Sequence, residues 1–175
     1  MAPITDPTVG RDSGRDSTGR DSLREIAELL GREPQGDARV VLRYRNDGRA
    51  VVLQNYPLFY DGTPMPTLYW LVDSELVRRV SRLESEGTIK LMRGMVDQDA
   101  LTASHRAYAA ARDGLLPPDY SGVMPHGGVG GTYRGIKCLH AHLAWYLMSW
   151  DDPVGVMVAD SIGISRDEFV KYEDR

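Results

Sequence analysis

One run constrains this chain more than any other: Met124-Pro-His-Gly-Gly-Val-Gly-Gly-Thr-Tyr-Arg-Gly-Ile-Lys-Cys-Leu-His-Ala-His142, which continues as an apolar segment to Trp150. It holds three of the four histidines, the only cysteine and four closely spaced glycines. At about 100° per residue, Ile136, Leu139, Leu143, Leu147 and Trp150 fall on one side of a helix, with Tyr146 at its edge. That side predicts a core helix. The glycines ahead of it predict a tight loop, because backbone without side chains can approach other groups closely. From Asp113 to Arg134 no periodic pattern appears, and ordered loops of this length are often functional.

The rest of the chain predicts an α+β fold. Residues 1–21 repeat Arg-Asp-Ser at Arg11, Arg15 and Arg20, with almost no apolar side chain to bury. They are expected to form a disordered tail. A single α+β domain is expected over residues 22–175. Ser22-Leu-Arg-Glu25 matches a capping box, and Leu23, Ile26 and Leu30 give a short helix ended by Gly31 and Pro34. Val40 to Tyr44 and Ala50 to Gln54 read as a hairpin turned at Asp47-Gly48. Thr67 to Val72 supplies a third strand. Asp73 and Ser74 are candidate caps for a helix to about Glu86, carrying Leu76, Val77, Val80 and Leu83 on one side. A further helix runs from Asp97 to Arg112, with Leu101, His105 and Tyr108 along one side. Asp152-Pro153 opens another, and Ser165-Arg-Asp-Glu168 is a capping box for a short C-terminal helix. The expectation is a small three-stranded antiparallel sheet packed by four or five helices, with a helical C-terminal half.

Composition removes whole classes of function. A net charge of −4 offers no electrostatic case for nucleic acid or an anionic membrane surface. No segment approaches the roughly 18 consecutive apolar residues a membrane helix requires, and no secretory signal is visible. One cysteine makes no internal disulfide, which fits a reducing, cytoplasmic setting.

Three chemical readings compete at the glycine run. In the first, Gly127, Gly128, Gly130 and Gly131 turn backbone N–H groups toward a phosphate or carboxylate, with Arg134 and Lys137 supplying charge at a helix N-terminus. It is not a Walker loop, since Ile136 stands where the lysine belongs. The bland counterpart is a set of glycines needed only for close packing. In the second, Cys138 is a nucleophile at the helix start beside Lys137, with a histidine in reach. His140, on the border of the apolar side, is then a general base or acid; otherwise it hydrogen-bonds to backbone and orients the loop. In the third, Cys138 and His142, four residues apart, begin a metal shell that His126 or a carboxylate would complete. The spacing falls short of a structural zinc pattern, so no metal is assigned. A regular helix also turns His140 away from the Cys138–His142 pair.

Lys137-Cys-Leu-His-Ala141, together with Asp61-Gly-Thr-Pro-Met-Pro-Thr-Leu-Tyr-Trp-Leu-Val72 and Asp152-Pro-Val-Gly155, resembles the bacterial domain-of-unknown-function 501 family. The likeness spans roughly residues 22–160. What it implies is limited: a small cytoplasmic protein with no established activity. Relatives are often encoded near septum-formation and glycolytic proteins, an association with cell division rather than a mechanism. Two functional expectations therefore stand, and whether the chain is an enzyme is left open. Either Gly127, Gly128, Gly130, Gly131, Arg134 and Lys137 bind a small anionic ligand with Cys138 and His140 doing the chemistry, or the same loop is the surface a protein partner recognises. Neither names a cofactor.

Overall fold

The computed structural model describes residues 17–172, with side chains from Ser22 onward. β-branched runs and the Gly48 turn (φ 72°) pair β1 (Ala38–Tyr44) with β2 (Ala50–Asn55) in antiparallel register. β3 (Tyr69–Leu71) joins the far side of β2, narrower than the Thr67–Val72 expectation. A fourth strand, β4 (Phe169–Lys171), pairs with the other edge of β1, so the sheet runs β3-β2-β1-β4.

That fourth strand corrects both the three-stranded sheet and the C-terminal helix. The Ser165–Glu168 capping box forms, yet it closes only a 3-10 turn, Arg166–Glu168. The chain then extends because Phe169 finds burial against Tyr44, ring centroids 5.1 Å apart, and β1 offers an unpaired edge.

Six α-helices are described, not four or five. α1 (Ser17–Leu30) starts ahead of the expected Ser22 cap, so residues 17–21 of the expected tail belong to a helix. Residues 1–16 of that tail lie outside the described residues. Ser22 therefore lies inside the helix rather than at its start, and the Glu25 carboxylate grips the Arg43 guanidinium at 2.8 and 2.7 Å. α2 (Ser74–Ser85) and α4 (Gln98–Asp113) are capped by Asp73 and Asp97, each accepting from a backbone N–H three residues on. α3 (Thr88–Met95) was not anticipated: it follows Gly87, contains Gly94 and buries only Met92, so it has almost no stripe to read. α5 (Leu139–Ser149) and α6 (Pro153–Ile162) follow, α6 capped by Asp152. Among the described residues, no helix is long and apolar enough to cross a membrane.

The sheet lies between two apolar layers. Ile26 of α1 packs on Val40, Ala50 and Leu53. The opposite face, Val41, Leu42, Val51 and Val52, joins the main core with α2, α4, α5 and α6. α5 is central to that core. Trp145 stacks on Tyr69 of β3 at 5.9 Å, and Tyr108 of α4 meets its edge at 5.4 Å. α5 therefore buries Ala141, His142, Ala144 and Trp145 as well as Leu139, Leu143 and Leu147, not one stripe. Ile136 is buried ahead of the helix, and Trp150 forms its left-handed C-cap (φ 61°).

Candidate functional site

The segment ahead of α5 folds back over the first turn of that helix, and two buried side chains of α4 hold it there. Arg112 has no exposed surface; its guanidinium donates to the carbonyls of Pro66, Pro125 and Gly127 at 3.2, 3.1 and 2.6 Å. Nδ1 of His105 accepts from the Val129 N–H at 3.1 Å, so its protonated Nε2 donates to the Gly135 carbonyl at 3.1 Å. Burial holds the His105 imidazole below its ordinary range. Gly128 passes so close that a Cβ there would stand 2.6 Å from the His105 Cβ. From α3, Arg93 donates to the Ile136 carbonyl at 3.1 Å.

Gly127 and Gly128 are consequently buried, whereas Gly130 and Gly131 come nearer the surface. Three N–H groups of the loop are occupied internally: Gly128 donates to Thr132, Gly131 to Gly128 and Val129 to His105. Gly130 lies over Lys137 and Cys138: a Cβ added there would stand 3.7 and 3.6 Å from theirs. Arg134 and Lys137 are exposed at the rim.

At the helix start, Cys138 is the N-cap and half-buried. Glu84, from the end of α2, caps the helix from outside: its Oε1 accepts from the Leu139 N–H at 2.6 Å. The same oxygen is 3.3 Å from His140 Nδ1, and Cys138 Sγ is 3.8 Å from that nitrogen. His140 Nε2 faces the Val77 carbonyl and the Ser81 hydroxyl, both at 3.1 Å. The hydrogen bond with Cys138, opposed by burial and aided by the Val77 carbonyl and the Glu84 charge, pushes His140 up to about 9. Cys138 and His140 thus come together because Cys138 precedes the helix in extended backbone (φ −148°, ψ 118°), so helical angles do not govern the pair.

The other histidines go elsewhere. His142 does not share a face with the thiol: it is fully buried, with Nδ1 3.0 Å from both Asp152 oxygens. His126 is exposed and stacks edge-on with Tyr133 at 5.0 Å. Neither joins the ligand cluster found among the described residues, which is Glu84, Cys138 and His140. Asp152 also accepts from Ser104 at 2.7 Å and from the Gly155 N–H at 2.5 Å, and the Trp145 indole donates to Ser104 at 3.0 Å. Serine, histidine and aspartate meet here, but the hydroxyl bonds to the carboxylate rather than the imidazole, and all three are buried. This network ties α4, α5 and α6 together; it is not a hydrolytic triad.

Glu84, Arg112 and His105 were the residues that sequence patterns did not single out for this site. Their partners lie 55, 15 and 24 positions away for the Leu139, Gly127 and Val129 contacts, and no local spacing links them. A cavity of about 240 Å³ beside β1 and β2, lined by Asp37, Arg39, Gln54 and Asn55 among others, gathers no comparable set of groups.

A family model described as "Protein of unknown function (DUF501)" matches residues 41–160. No curated protein and no solved structure matches the chain.

Proposed function

The chain belongs to the DUF501 family of proteins of unknown function, and from its own geometry we propose that it binds a small anionic ligand over the first turn of α5. The ligand carries phosphate or carboxylate. Arg134 and Lys137 provide the charge, Gly130 and Gly131 allow close approach, and Cys138 with His140 carries any proton or nucleophile chemistry. Gly127 and Gly128 shape the loop from beneath. The observation that supports this best is the convergence of the glycine turn, Lys137 and the Cys138–His140–Glu84 cluster at one helix start. Because the loop's own amides are largely engaged, charge recognition falls to the two side chains.

The lone thiol makes the test simple. Inorganic phosphate and small polycarboxylates are added singly, and the thermal midpoint and the rate of Cys138 alkylation by iodoacetamide are followed. A bound ligand raises the midpoint and slows alkylation; Arg134→Ala and Lys137→Ala each reduce both effects. If no anion moves either readout, the anionic-ligand reading falls.

A second reading, a non-enzymatic partner protein connected with cell division, draws on apolar surface. Leu91 and Met95, one turn apart on α3, are 65% and 74% exposed. It is favoured if anions have no effect and Leu91→Asp with Met95→Asp abolishes a self- or hetero-association seen for the unaltered chain.

A further inference from the structure

Three donors of different chemistry meet beside the start of α5. Glu84 Oε1, Cys138 Sγ and His140 Nδ1 lie within 4.8 Å of one another. The role of the other imidazole nitrogen is settled by its neighbour: the Val77 carbonyl only accepts, so His140 Nε2 carries a proton and donates to it. Nδ1 is left facing a carboxylate oxygen and a sulfur, both rich in lone pairs. A positive centre among its members holds such a trio together, either a proton shared with Nδ1 or a cation in its place.

We propose that this centre is a divalent transition-metal ion, zinc foremost, held by Glu84, Cys138 and His140. The proposal deepens the anionic-ligand reading, on which it rests only for the accessibility of the site. The spacing suits the ion. Bonds of about 2.0–2.1 Å to nitrogen and oxygen and about 2.3 Å to sulfur, at tetrahedral angles, separate N from O by about 3.3 Å and N from S by about 3.6 Å. The observed separations from nitrogen are 3.3 and 3.8 Å, and the oxygen and sulfur lie within 4.8 Å of each other, so a small side-chain adjustment closes the shell. The surroundings also suit it. A ligating histidine ordinarily donates its second N–H to a carbonyl or carboxylate, as His140 does to Val77, and a ligating carboxylate is itself hydrogen-bonded, as Glu84 is by Leu139. Thiolate, imidazole and carboxylate together favour zinc over the hard ions magnesium and calcium.

Three protein ligands leave a fourth position. The side chains of His140 and Glu84 keep 22% and 28% of their surface exposed, so solvent reaches the cluster. A water molecule or an oxygen of the anionic ligand fits there, with the rim cations holding the rest of the anion. An open fourth position distinguishes a working centre from a purely structural one.

The full chain, stripped with chelator, is titrated with Zn²⁺ and with Co²⁺ as an optical probe. One zinc ion per chain is expected, and cobalt should give the visible bands of a tetrahedral site with a thiolate charge-transfer band. Cys138→Ser, nearly isosteric, should abolish that band. Glu84→Gln and His140→Gln should weaken zinc by at least the roughly 10–100-fold typical of outer-shell changes. Circular dichroism confirms that each variant folds; should Glu84→Gln unfold, Cys138→Ser carries the test alone. No stoichiometric zinc, or a cobalt spectrum unchanged in Cys138→Ser, overturns the proposal and leaves a proton as the positive centre. The two readings fail separately. Phosphate raising the midpoint of a metal-free chain that binds no zinc sinks the metal alone, whereas zinc loading with no response to phosphate sinks the anion alone.

Discussion

His105 stands inside the core with a nitrogen accepting from Val129 and the other donating to Gly135. Protonation of Nδ1 would destroy the first of these bonds. Burial lowers its pKa from the ordinary 6.5, as does the His142 ring 5.7 Å away; the Gly135 carbonyl and the Asp152 carboxylate pull it back up. The unfolded chain therefore takes up the proton first as pH falls. Stability from this group is fully present above pH 6.5 and is lost as pH drops through that value toward the depressed folded pKa. Chemical denaturation between pH ~7 and ~5 should show the loss. His105→Asn, whose Oδ1 can accept from Val129 and does not titrate, should start less stable but lose less over that interval. An equal loss in both proteins would remove His105 as the cause. Nothing in the residues around position 105 announces this role, because an alanine-rich helix with a histidine on its side reads the same whether that side meets solvent or a loop.

The elements divide by how local their determinants are. Asp73, Asp97 and Asp152 each cap a helix through their own side chain, a contact spanning three residues, and each helix start was legible for that reason. The β1–β2 hairpin was legible from Asp47-Gly48 between two β-branched runs. β4 was not. Its capping box is genuine and its length is three residues, so only the free edge of β1 and the hydrophobic place beside Tyr44 decide that it extends. Phe169 anchors the strand with 3% of its surface exposed. Phe169→Ala should cost about 3–5 kcal/mol in urea unfolding, and it should raise hydrogen exchange at the Arg45 amide, which donates to the Glu168 carbonyl at the start of β4. A loss below about 1 kcal/mol would mean that β4 is a minor appendage rather than part of the sheet. α5 shows the same limit in another form. A stripe can be read when a helix has one buried side; a helix buried nearly all round gives no phase, and helical spacing puts His142 beside the thiol although it faces Asp152.

Taken whole, the molecule is a sheet with α1 on one face and five helices on the other, and the glycine loop is clamped between α4 and α5. The clamp makes the loop part of the core's cooperative structure. Gly128→Ala drives a methyl group into His105 and should destabilise the protein by about 1–3 kcal/mol. The same change should loosen the loop over Cys138, seen as faster alkylation and faster proteolysis near residues 120–135. Unchanged alkylation in a destabilised Gly128→Ala protein would separate loop mooring from thiol access. The amino-acid order alone determined the Asp73, Asp97 and Asp152 caps, the hairpin and the α+β class, since each depends on contacts between near neighbours or on composition. Only the tertiary structure decided that Glu84 reaches the start of α5, that Arg112 and His105 moor the loop, and that His140 rather than His142 stands beside Cys138. Those outcomes follow from the packing of helices far apart in the chain, where burial energy over whole faces outweighs any local spacing.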